Sequence, residues 1–385
     1  MRGAATMTST VGLGLALLSC GPGAAPPTAP TGAPTEPVAS AEATAEAERD
    51  EPPLELVEVA PGVLAALQPA TRRFADSNAA ILVGEAGAVV IDGPQQVAAA
   101  RWLHQQVSAR TSGPQRELIG THWHLDHSLG VTVLRAAFEA DGLAPRHWGH
   151  AGLAEALRAR GREQLQEHRA ELPSWLERGE AMRESGTRGD GTRLTPPQRA
   201  QLEDELVSIR AQLDAVGSLS LAEPTHPVSE PTRLELGEQV IELRPIRAHT
   251  DADLVVYLPR AKVLITGDVL DEIPFGGHGH PRQWLEALQD LARLEVETII
   301  PGHGRPMGPE ALALAIELWT AILEQAELAV ANGETAAERW SAWEPTEEQQ
   351  RLRARLVSDP VSERAHAAFV PESLARAVAE RRGEI

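Results

Sequence analysis

The segment THWHLDH, residues 121–127, places three histidines and one aspartate within six consecutive positions. In an extended or looped segment, His122 and His124 point to the same side and can bind one cation. Asp126 and His127 follow on the next turn, where they can face a second cation. Because two neighbouring metal ions suit hydrolysis, the spacing predicts a pair of adjacent metal sites.

Three residues farther along the chain are predicted to complete this ligand set. His249 lies in AHTDADLVVYLP just before a predicted strand, Asp268 ends the strand VLITGD, and His303 follows the strand TIIPGHG. Each is expected at the carboxyl end of a strand or in the adjoining loop, where α/β sheets place their sites. Histidines and carboxylates that converge in a cleft in this way are typical of metal sites.

Composition narrows the chemistry further. The chain has 385 residues, a formal net charge of −20, 13 His and a single Cys, Cys20. One cysteine excludes an internal disulfide and a thiolate metal cluster, so His, Asp or Glu must hold any metal. The acidic charge argues against a nucleic-acid partner, which needs a basic surface. We therefore expect a small molecule as the substrate; the sequence does not define an oligomeric state.

Short apolar runs and helical stripes alternate around these candidate ligands. Strands are predicted at residues 79–83, 88–91, 117–119, 240–243, 254–258, 263–266 and 298–300. Helical spacing of apolar residues covers 97–107, 129–138 and 284–291. This alternation predicts a layered α/β structure that brings several strand ends to one edge.

Residues 150–222 break the alternation, since they are charged and helical in spacing. One helix start has a clear signature, because Thr195 stands three residues before Gln198 and two prolines occupy the first turn. Two interpretations of this insertion stay open: a solvated decoration, or a lid or wall over the site. After Pro309 the pattern is again mostly helical, so residues 311–385 are predicted to form a C-terminal extension packed on the sheet.

The N-terminus has the features of an export signal. Arg2 precedes a short apolar stretch, residues 11–18, that is too short to span a bilayer. The stretch ends in Leu-Leu-Ser-Cys, which resembles a bacterial lipobox and predicts a signal peptide at 1–19. We therefore expect an exported lipoprotein, periplasmic or on the cell surface, anchored to a bacterial membrane through lipidated Cys20 only. The alternative is an ordinary signal peptide with a chance cysteine. Residues 20–53, rich in Pro, Ala, Thr and Glu, are predicted to be a disordered tether.

Five motifs in order resemble the metallo-β-lactamase superfamily: Ile91-Asp92, THWHLDH, His249-Thr250, Thr266-Gly267-Asp268 and the PGHG of residues 301–304. The resemblance covers about residues 55–305. It implies an α/β fold, a four-layer αββα sandwich, with a catalytic domain at 54–310 that contains the helical insertion. It also implies two zinc ions, with the following ligands: His122, His124 and His249 for the first, Asp126, His127 and His303 for the second, and Asp268 as a bridge.

The residue at position 268 indicates which branches of this superfamily the chain resembles. A bridging Asp looks like glyoxalase II, lactonases and related hydrolases, whereas the true zinc β-lactamases usually have Cys or Ser there. The helical insertion and C-terminus look like the branch that includes SoxH-like proteins. Diiron members commonly replace the second His of the first motif by Glu, so His124 favours zinc, with Fe or Mn as alternatives. Asp92 matches the family's buried Asp that supports the site from behind.

The ligand set implies a mechanism. A hydroxide that bridges the two zinc ions is expected to attack the carbonyl of an ester, thioester, lactone or amide. Asp126 is the candidate catalytic residue, since it can orient the nucleophile or take its proton. The alternatives are a class B β-lactamase-like activity on β-lactams, an iron-dependent oxidoreductase on the same fold, and a noncatalytic zinc-binding lipoprotein.

Other histidines and two tryptophans are weaker candidates. His278 and His280, in the sequence FGGHGHP, follow Asp268 closely and are candidate substrate contacts, or less favourably a third metal site. Trp123 and Trp284 fit either the wall of a cleft or ordinary packing. The remaining histidines without a ligand pattern are interpreted as structural or surface residues: His147, His150, His168, His226 and His366.

Overall fold

The computed structural model describes residues 52–385, so the predicted signal peptide, Cys20 and nearly all of the predicted tether lie outside the described residues. The first sheet has seven strands, each bonded to the next in chain order. They are β1 (Glu55–Ala60), β2 (Val63–Leu67), β3 (Ala79–Gly84), β4 (Gly87–Ile91), β5 (Gln115–Gly120), β6 (Arg146–His150) and β7 (His226–Val228). Pairing is antiparallel from β1 to β4 and parallel from β4 to β7.

The second sheet has five strands. They are β8 (Thr232–Leu236), β9 (Gln239–Ile246), β10 (Asp253–Leu258), β11 (Val263–Gly267) and β12 (Thr298–Pro301). The spatial order is β12-β11-β10-β9-β8, and only β11 and β12 run parallel. Strand β10 is buried along its whole length, which explains its continuous apolar sequence LVVYL.

In the part of the chain that the structure describes, the α-helices occupy three regions: two lie beside the first sheet, three in the insertion and five from residue 281 onward. In chain order they are α1 (Val97–Ser108), α2 (Leu125–Ala140), α3 (Leu153–Ala156), α4 (Arg162–Ser185), α5 (Pro196–Val216), α6 (Pro281–Leu291), α7 (Glu310–Asn332), α8 (Ala336–Ala342), α9 (Glu347–Leu356) and α10 (Pro360–Arg382). Within residues 52–385, no helix combines the length and apolar character needed to cross a bilayer.

Three apolar clusters define four layers. Between the two sheets, Ile119 of the first packs with Leu243 and Ile265 of the second. On the outer face of the first sheet, Leu103 of α1 packs against its strands together with residues of α2. On the outer face of the second sheet, Trp284 of α6 packs with residues of α7. The predicted αββα sandwich is therefore confirmed, because each sheet buries one face on the other and one face under helices.

The insertion packs on α1 rather than standing free. It consists of α3, a π-helical turn (Leu157–Gly161), α4 and α5. Trp175 of α4 and Ile209 of α5 share an apolar cluster with Val97 of α1. The predicted capping box is present at the start of α5, with Thr195 and Gln198 bonding each other's backbone region.

The C-terminal extension is helical, as predicted. Helix α7 lies against α6 and the second sheet, and α10 lies against α7. Leu318 and Trp319 of α7 pack with Val370 and Leu374 of α10 in the same cluster as the outer face of the sheet. Helix α10 is therefore held largely by α7, with further contacts to α6 and α8.

Candidate metal centre

Three histidines form the first ligand group. His122 and His124 come from the turn between β5 and α2, and His249 comes from the loop between β9 and β10. The Nδ1 atom of His124 lies 2.9 Å from Nε2 of His122 and 3.0 Å from Nε2 of His249. All three side chains are buried. The structure thus brings together residues that are more than a hundred positions apart.

Asp126, His127 and His303 form the second ligand group. Asp126 and His127 lie in the first turn of α2, and His303 follows β12. Nε2 of His303 lies 3.2 Å from Oδ2 of Asp126, and Nε2 of His127 lies 3.6 Å from the same oxygen. The three ligand atoms therefore face one small volume, as a shared cation requires.

Asp268, just beyond β11, stands between the two groups. Its Oδ2 lies 3.7 Å from Nε2 of His122 and 3.4 Å from Nε2 of His249. Its Oδ1 lies 2.9 Å from Nε2 of His127 and 3.6 Å from Nε2 of His303. One carboxylate oxygen consequently faces each ligand group.

Asp92 and Thr121 fix two of the imidazoles from behind. Oδ2 of Asp92 lies 2.8 Å from Nδ1 of His127 and accepts the hydroxyl proton of Thr121 at 2.7 Å. Because the Thr121 hydroxyl donates to Asp92, its oxygen is left to accept from Nδ1 of His122 at 3.0 Å. Asp92 has a positive φ of 58°, a conformation that costs energy in a non-glycine residue and is often found at functional sites.

Backbone carbonyl groups orient two other imidazoles, those of His249 and His303. Nδ1 of His249 lies 3.0 Å from the carbonyl oxygen of Phe275, and Nδ1 of His303 lies 3.2 Å from that of Arg73. A carbonyl can only accept, so each Nδ1 carries the proton and each Nε2 presents a lone pair to the site. This is how outer partners orient metal-binding histidines.

His124 is turned the other way. Its Nδ1 points into the first group, and its Nε2 lies 2.8 Å from Nδ1 of His278. His278 is half-buried beside the ring of Trp123. Of the two candidate substrate contacts, His278 therefore lies at the edge of the site, in contact with a ligand.

The protonation state of the three histidines in the first group fits a bound cation. Burial lowers the pKa of His122 and His124 well below the usual range and that of His249 to about 4, so all three imidazoles are neutral. With the protons of His122 and His249 directed outward, the Nε2 lone pairs of both face Nδ1 of His124 at 2.9 and 3.0 Å. A tetrahedral zinc ion with Zn–N bonds of about 2.0–2.1 Å would hold such nitrogens about 3.3 Å apart.

The second group also fits a cation, for an electrostatic reason. Burial would lower the pKa of His127 and His303, but the carboxylates of Asp268 and Asp126 raise both pKa values well above the usual range. The site therefore attracts positive charge, which either protons or a metal ion can supply. Buried Nε2 of His127 and Oδ1 of Asp268 have no hydrogen-bond partner of good geometry, as expected of atoms reserved for a metal.

The open side of the site is lined by charged residues. Nε2 of His280 lies 2.7 Å from Oδ1 of Asp251, so its ring is engaged with Asp251. Asp251 also pairs with Arg247 at 2.8 Å and with Arg160 of the insertion at 3.2 Å. The guanidinium of Arg160 lies 5.7 Å from the centre of the Trp123 ring. The insertion therefore contributes a side chain to the wall of the site.

Trp123 and Trp284 are both buried, but in different ways. Trp123 packs its ring 4.3 Å from that of His124. Trp284 donates its indole N–H to the carbonyl of Val269 at 2.8 Å, and its ring lies 5.4 Å from that of His249. Both therefore support ligands by packing.

Several supporting residues were not predicted from the sequence. Ser77 donates its hydroxyl to the backbone carbonyl of Asp126 at 2.6 Å, and Asp271 accepts the backbone N–H of His303 at 2.8 Å. Asp253 accepts from Ala248, from Thr250 N–H and from the Thr250 hydroxyl, so it shapes the loop that carries His249. Burial raises the pKa of Asp253 to about 7. Among these residues, only Asp253 could have been predicted, from the sequence H-T-D-A-D. A short loop that presents a ligand needs a side-chain acceptor for its own backbone N–H groups.

The other histidines lie away from the ligand groups. His168 of α4 is buried and contacts Gln95 and Gln212, which ties the insertion to the start of α1. His147 is buried in β6, and burial lowers its pKa to about 4. The rest contact neighbouring groups or lie partly exposed: His104, His150, His226 and His366.

The two stacked sheets carry paired groups of His and Asp that could hold metal ions. The metallo-β-lactamase superfamily model matches residues 72–303, which is more than half of the chain. The chain therefore belongs to the metallo-β-lactamase superfamily. A comparison with curated proteins finds no match.

Solved structures share the fold at low sequence identity. The stereoselective inverting sec-alkylsulfatase Pisa1 from Pseudomonas sp. superimposes with a TM-score of 0.56 at 17% identity, over 85% of this chain and 50% of that one. This chain thus corresponds to half the length of the alkylsulfatase. A metallo-β-lactamase from Pontibacter korlensis superimposes with a TM-score of 0.46 at 16% identity, over 69% of this chain and 99% of that one.

Proposed function

We propose that this protein is a dinuclear zinc hydrolase that cleaves an ester, thioester, lactone or amide bond. The observation that supports this most strongly is Asp268, whose two carboxylate oxygens each face a separate group of three ligands. A single structural ion would need only one group. Two incomplete groups that share one carboxylate leave room for exchangeable ligands, as catalytic zinc sites do.

The chain's own residues prepare this site for chemistry. His122, His124 and His249 would hold the first ion, and Asp126, His127 and His303 the second. Bound metal ions of this kind lower the pKa of a water and polarise the group that it attacks. The outer partners of the imidazoles keep the ligand atoms aimed inward, which limits reorganisation during the reaction.

Asp126 is the residue proposed to handle the proton. Its side chain is 17% exposed, more than that of Asp268 or of any histidine ligand, so its carboxylate borders the space where a substrate would enter. Burial opposes ionisation of Asp126, but the positive charge of His127 and the hydrogen bond and charge of His303 lower its pKa, so Asp126 is an anion near neutral pH. An anionic carboxylate at this place can orient a water and accept its proton.

Zinc is favoured over iron by the donor set. The first group consists of three neutral imidazoles and one shared carboxylate, which suits zinc and also accommodates Fe or Mn. Asp268 in place of a thiolate also argues for the branches that cleave esters, thioesters and lactones. An iron protein of the same fold would be distinguished by metal analysis and by its visible absorbance.

One experiment tests the proposal. The purified full chain is loaded with Zn²⁺, analysed for metal and assayed with a lactone, a thioester, a cephalosporin, a phosphodiester and, given the alkylsulfatase likeness, a secondary alkyl sulfate. We expect close to two Zn²⁺ per chain and turnover of the lactone or thioester. Both should fall in His122→Ala and Asp268→Ala, whereas His226→Ala, outside the site, is the matched control. Full activity of the metal-free protein would contradict the proposal.

We also propose that the chain is an exported lipoprotein attached to a bacterial membrane through Cys20. The support is the short apolar stretch that ends in Leu-Leu-Ser-Cys and the Pro- and Ala-rich segment that follows. Metabolic labelling with a fatty acid should mark the wild type but not Cys20→Ala. Equal labelling of both would contradict this assignment.

A further inference from the structure

Helix α10 contacts the backbone behind both ligand groups. It spans Pro360–Arg382, beyond the residues 72–303 that define the superfamily match. We propose that α10 is part of the metal-binding apparatus: Arg376, Ser373 and the N-capping Asp359 fix the two carbonyl groups that orient His249 and His303. The proposal rests on the metal binding in the proposed function and assigns positioning residues to the C-terminal extension.

The first connection runs through the loop between β11 and α6. Arg376 donates from Nε to the carbonyl of Gly279 at 2.7 Å and from Nη2 to that of His278 at 3.4 Å. The hydroxyl of Ser373 accepts the N–H of Gly276 at 3.0 Å. The three residues bonded here all follow Phe275, whose carbonyl accepts from Nδ1 of His249. Helix α10 therefore holds the peptide unit that orients one ligand, through the Gly276 N–H, and the loop that follows it.

The loop lies directly on the helices of the extension. A Cβ built on Gly276 would come within 2.6 Å of Oγ of Ser373 and 2.8 Å of the Trp319 ring. Only glycine permits such an approach, so the backbone here is in contact with α7 and α10 without intervening side chains. A shift of α10 must consequently move the loop.

The second connection runs through Arg73. Its buried guanidinium lies 2.9 Å from Oδ2 of Asp359 and 3.0 Å from Oε2 of Glu272. The carbonyl of the same residue accepts from Nδ1 of His303 at 3.2 Å. Asp359 also caps α10 by accepting from the N–H groups of Val361 and Ser362. The start of the helix is therefore bonded to the residue that orients a ligand of the second group.

One aromatic side chain joins the two connections. The ring of Phe369 lies 6.3 Å from that of Phe74 and 5.4 Å from that of Phe275, edge-on in both cases. Phe74 adjoins Arg73, and Phe275 supplies the carbonyl for His249. A single helix thus contacts the support of one histidine from each ligand group.

Orientation of this kind has a measurable effect on metal retention. Loss of a group that directly orients a metal ligand typically lowers metal affinity about 10- to 100-fold. Residues of α10 act one step farther away, so we expect effects of about tenfold. The readout is Zn²⁺ release from the intact chain, which needs no substrate.

The test compares release of Zn²⁺ into excess chelator from full-length variants. Arg376→Leu should release one ion about tenfold faster, and Arg376→Lys should restore part of the retention because an ammonium can reach one carbonyl. Asp359→Asn keeps a capping side chain but loses the charge that pairs with Arg73, and should speed release of the other ion. Arg364→Leu is the control, since Arg364 is exposed on the same helix.

Two further observations keep the outcome unambiguous. Thermal unfolding of the metal-free variants shows whether they fold; if Arg376→Leu does not, Ser373→Ala removes only one hydroxyl and takes its place. Release rates of Arg376→Leu, Ser373→Ala and Asp359→Asn that equal the wild-type rate would overturn the proposal. A chain that retains Zn²⁺ but hydrolyses none of the compounds contradicts the proposed function alone, so the two failures are distinguishable.

Discussion

The insertion and the C-terminal extension are both helical, yet they contact the metal centre through different kinds of group. The insertion reaches the open side through Arg160 and contacts the start of α2, where the side-chain oxygen of Gln164 accepts the N–H of Leu125 at 3.0 Å. The extension instead bonds groups that support the ligands, since Arg376 donates to the Gly279 carbonyl and Asp359 pairs with Arg73. One region supplies a wall, and the other supplies support.

This difference shows how helices added to one catalytic fold can act on different properties. A wall residue meets the substrate and can change without moving a ligand. A support residue acts through backbone groups, so its loss should weaken metal binding whatever the substrate is. We therefore expect substitutions in the extension to affect zinc retention, and substitutions on the open side to affect turnover.

The largest expected effect comes from a pair of buried tryptophans, one in each region. Trp319 of α7 is fully buried with its ring 4.5 Å from that of Trp284, and Trp175 of α4 packs in the cluster that joins the insertion to α1 and α2. Replacement of either by Ala should cost about 3–5 kcal/mol of unfolding free energy, because each leaves a large cavity. Chemical denaturation of the metal-free proteins measures this.

The same two tryptophan variants should also differ in the rate of Zn²⁺ release. Trp319→Ala should speed Zn²⁺ release, since Trp319 supports both Trp284 and the loop at Gly276. Trp175→Ala should leave the release rate unchanged. Equal acceleration in both variants would show that release follows global stability and would remove the distinction.

A smaller effect on stability is expected from pH. The stability contributed by an acidic residue is lost at high pH in the insertion and at low pH in the extension. Burial raises the pKa of Glu205 in α5 to about 7. Its protonated form is favoured in the folded state, so the stability it contributes is complete below about pH 4.5 and is lost as pH rises through about 7. The hydrogen bond from Arg73 lowers the pKa of Asp359, so the stability from Asp359 is instead lost as pH falls below the usual carboxyl range.

Glu205→Gln tests the insertion half of this comparison. Urea unfolding at pH 5 and pH 8 should show that the wild type loses roughly 1–3 kcal/mol more than the variant over this range. Glu203→Gln is the control, because Glu203 is exposed on the same helix. An identical pH dependence in Glu205→Gln and wild type would mean that Glu205 does not titrate in this window.

Gln164→Ala should lower the free energy of unfolding by about 1 kcal/mol. Gln164 accepts the N–H of Leu125, one of the free donors at the start of α2, and therefore acts like a capping residue from another helix. Because Asp126 and His127 lie in this first turn, hydrogen exchange of the amides at 125–128 should rise in the variant. Unchanged exchange would place the capping of α2 elsewhere.

The smallest expected effect is that of Arg160→Gln. The pairing with Asp251 is half-exposed and the Trp123 contact is a single cation–π contact, so stability should change by less than about 1 kcal/mol. The KM of the best substrate should change while Zn²⁺ release stays at the wild-type rate. Faster release would give the insertion the role assigned here to the extension.

Much of the fold followed from apolar periodicity. Strands such as β10 and β11 are continuous apolar runs, and the amphipathic stripe of α6 is regular, so both were predicted within a few residues. Strand β6 was missed because its sequence RHWGH has no apolar alternation, although it pairs with β5 and β7. Here the neighbouring strands impose the extended conformation.

The ligand candidates followed from side-chain chemistry, whereas their supports did not. The spacing of the His and Asp residues in THWHLDH predicts metal ligands directly. The structure brings all seven predicted ligands together. The groups that orient His249 and His303 are backbone carbonyls, which any residue type provides. The bond from Arg376 to Gly279 joins residues 97 positions apart, and no local pattern encodes it.

The most direct test of the central claim is anomalous X-ray diffraction at the zinc edge from crystals of the Zn²⁺-loaded chain. We predict two strong peaks, one within the group of His122, His124 and His249 and one within that of Asp126, His127 and His303, with the Asp268 carboxylate between them. A single peak, or peaks remote from these residues, would contradict a dinuclear centre.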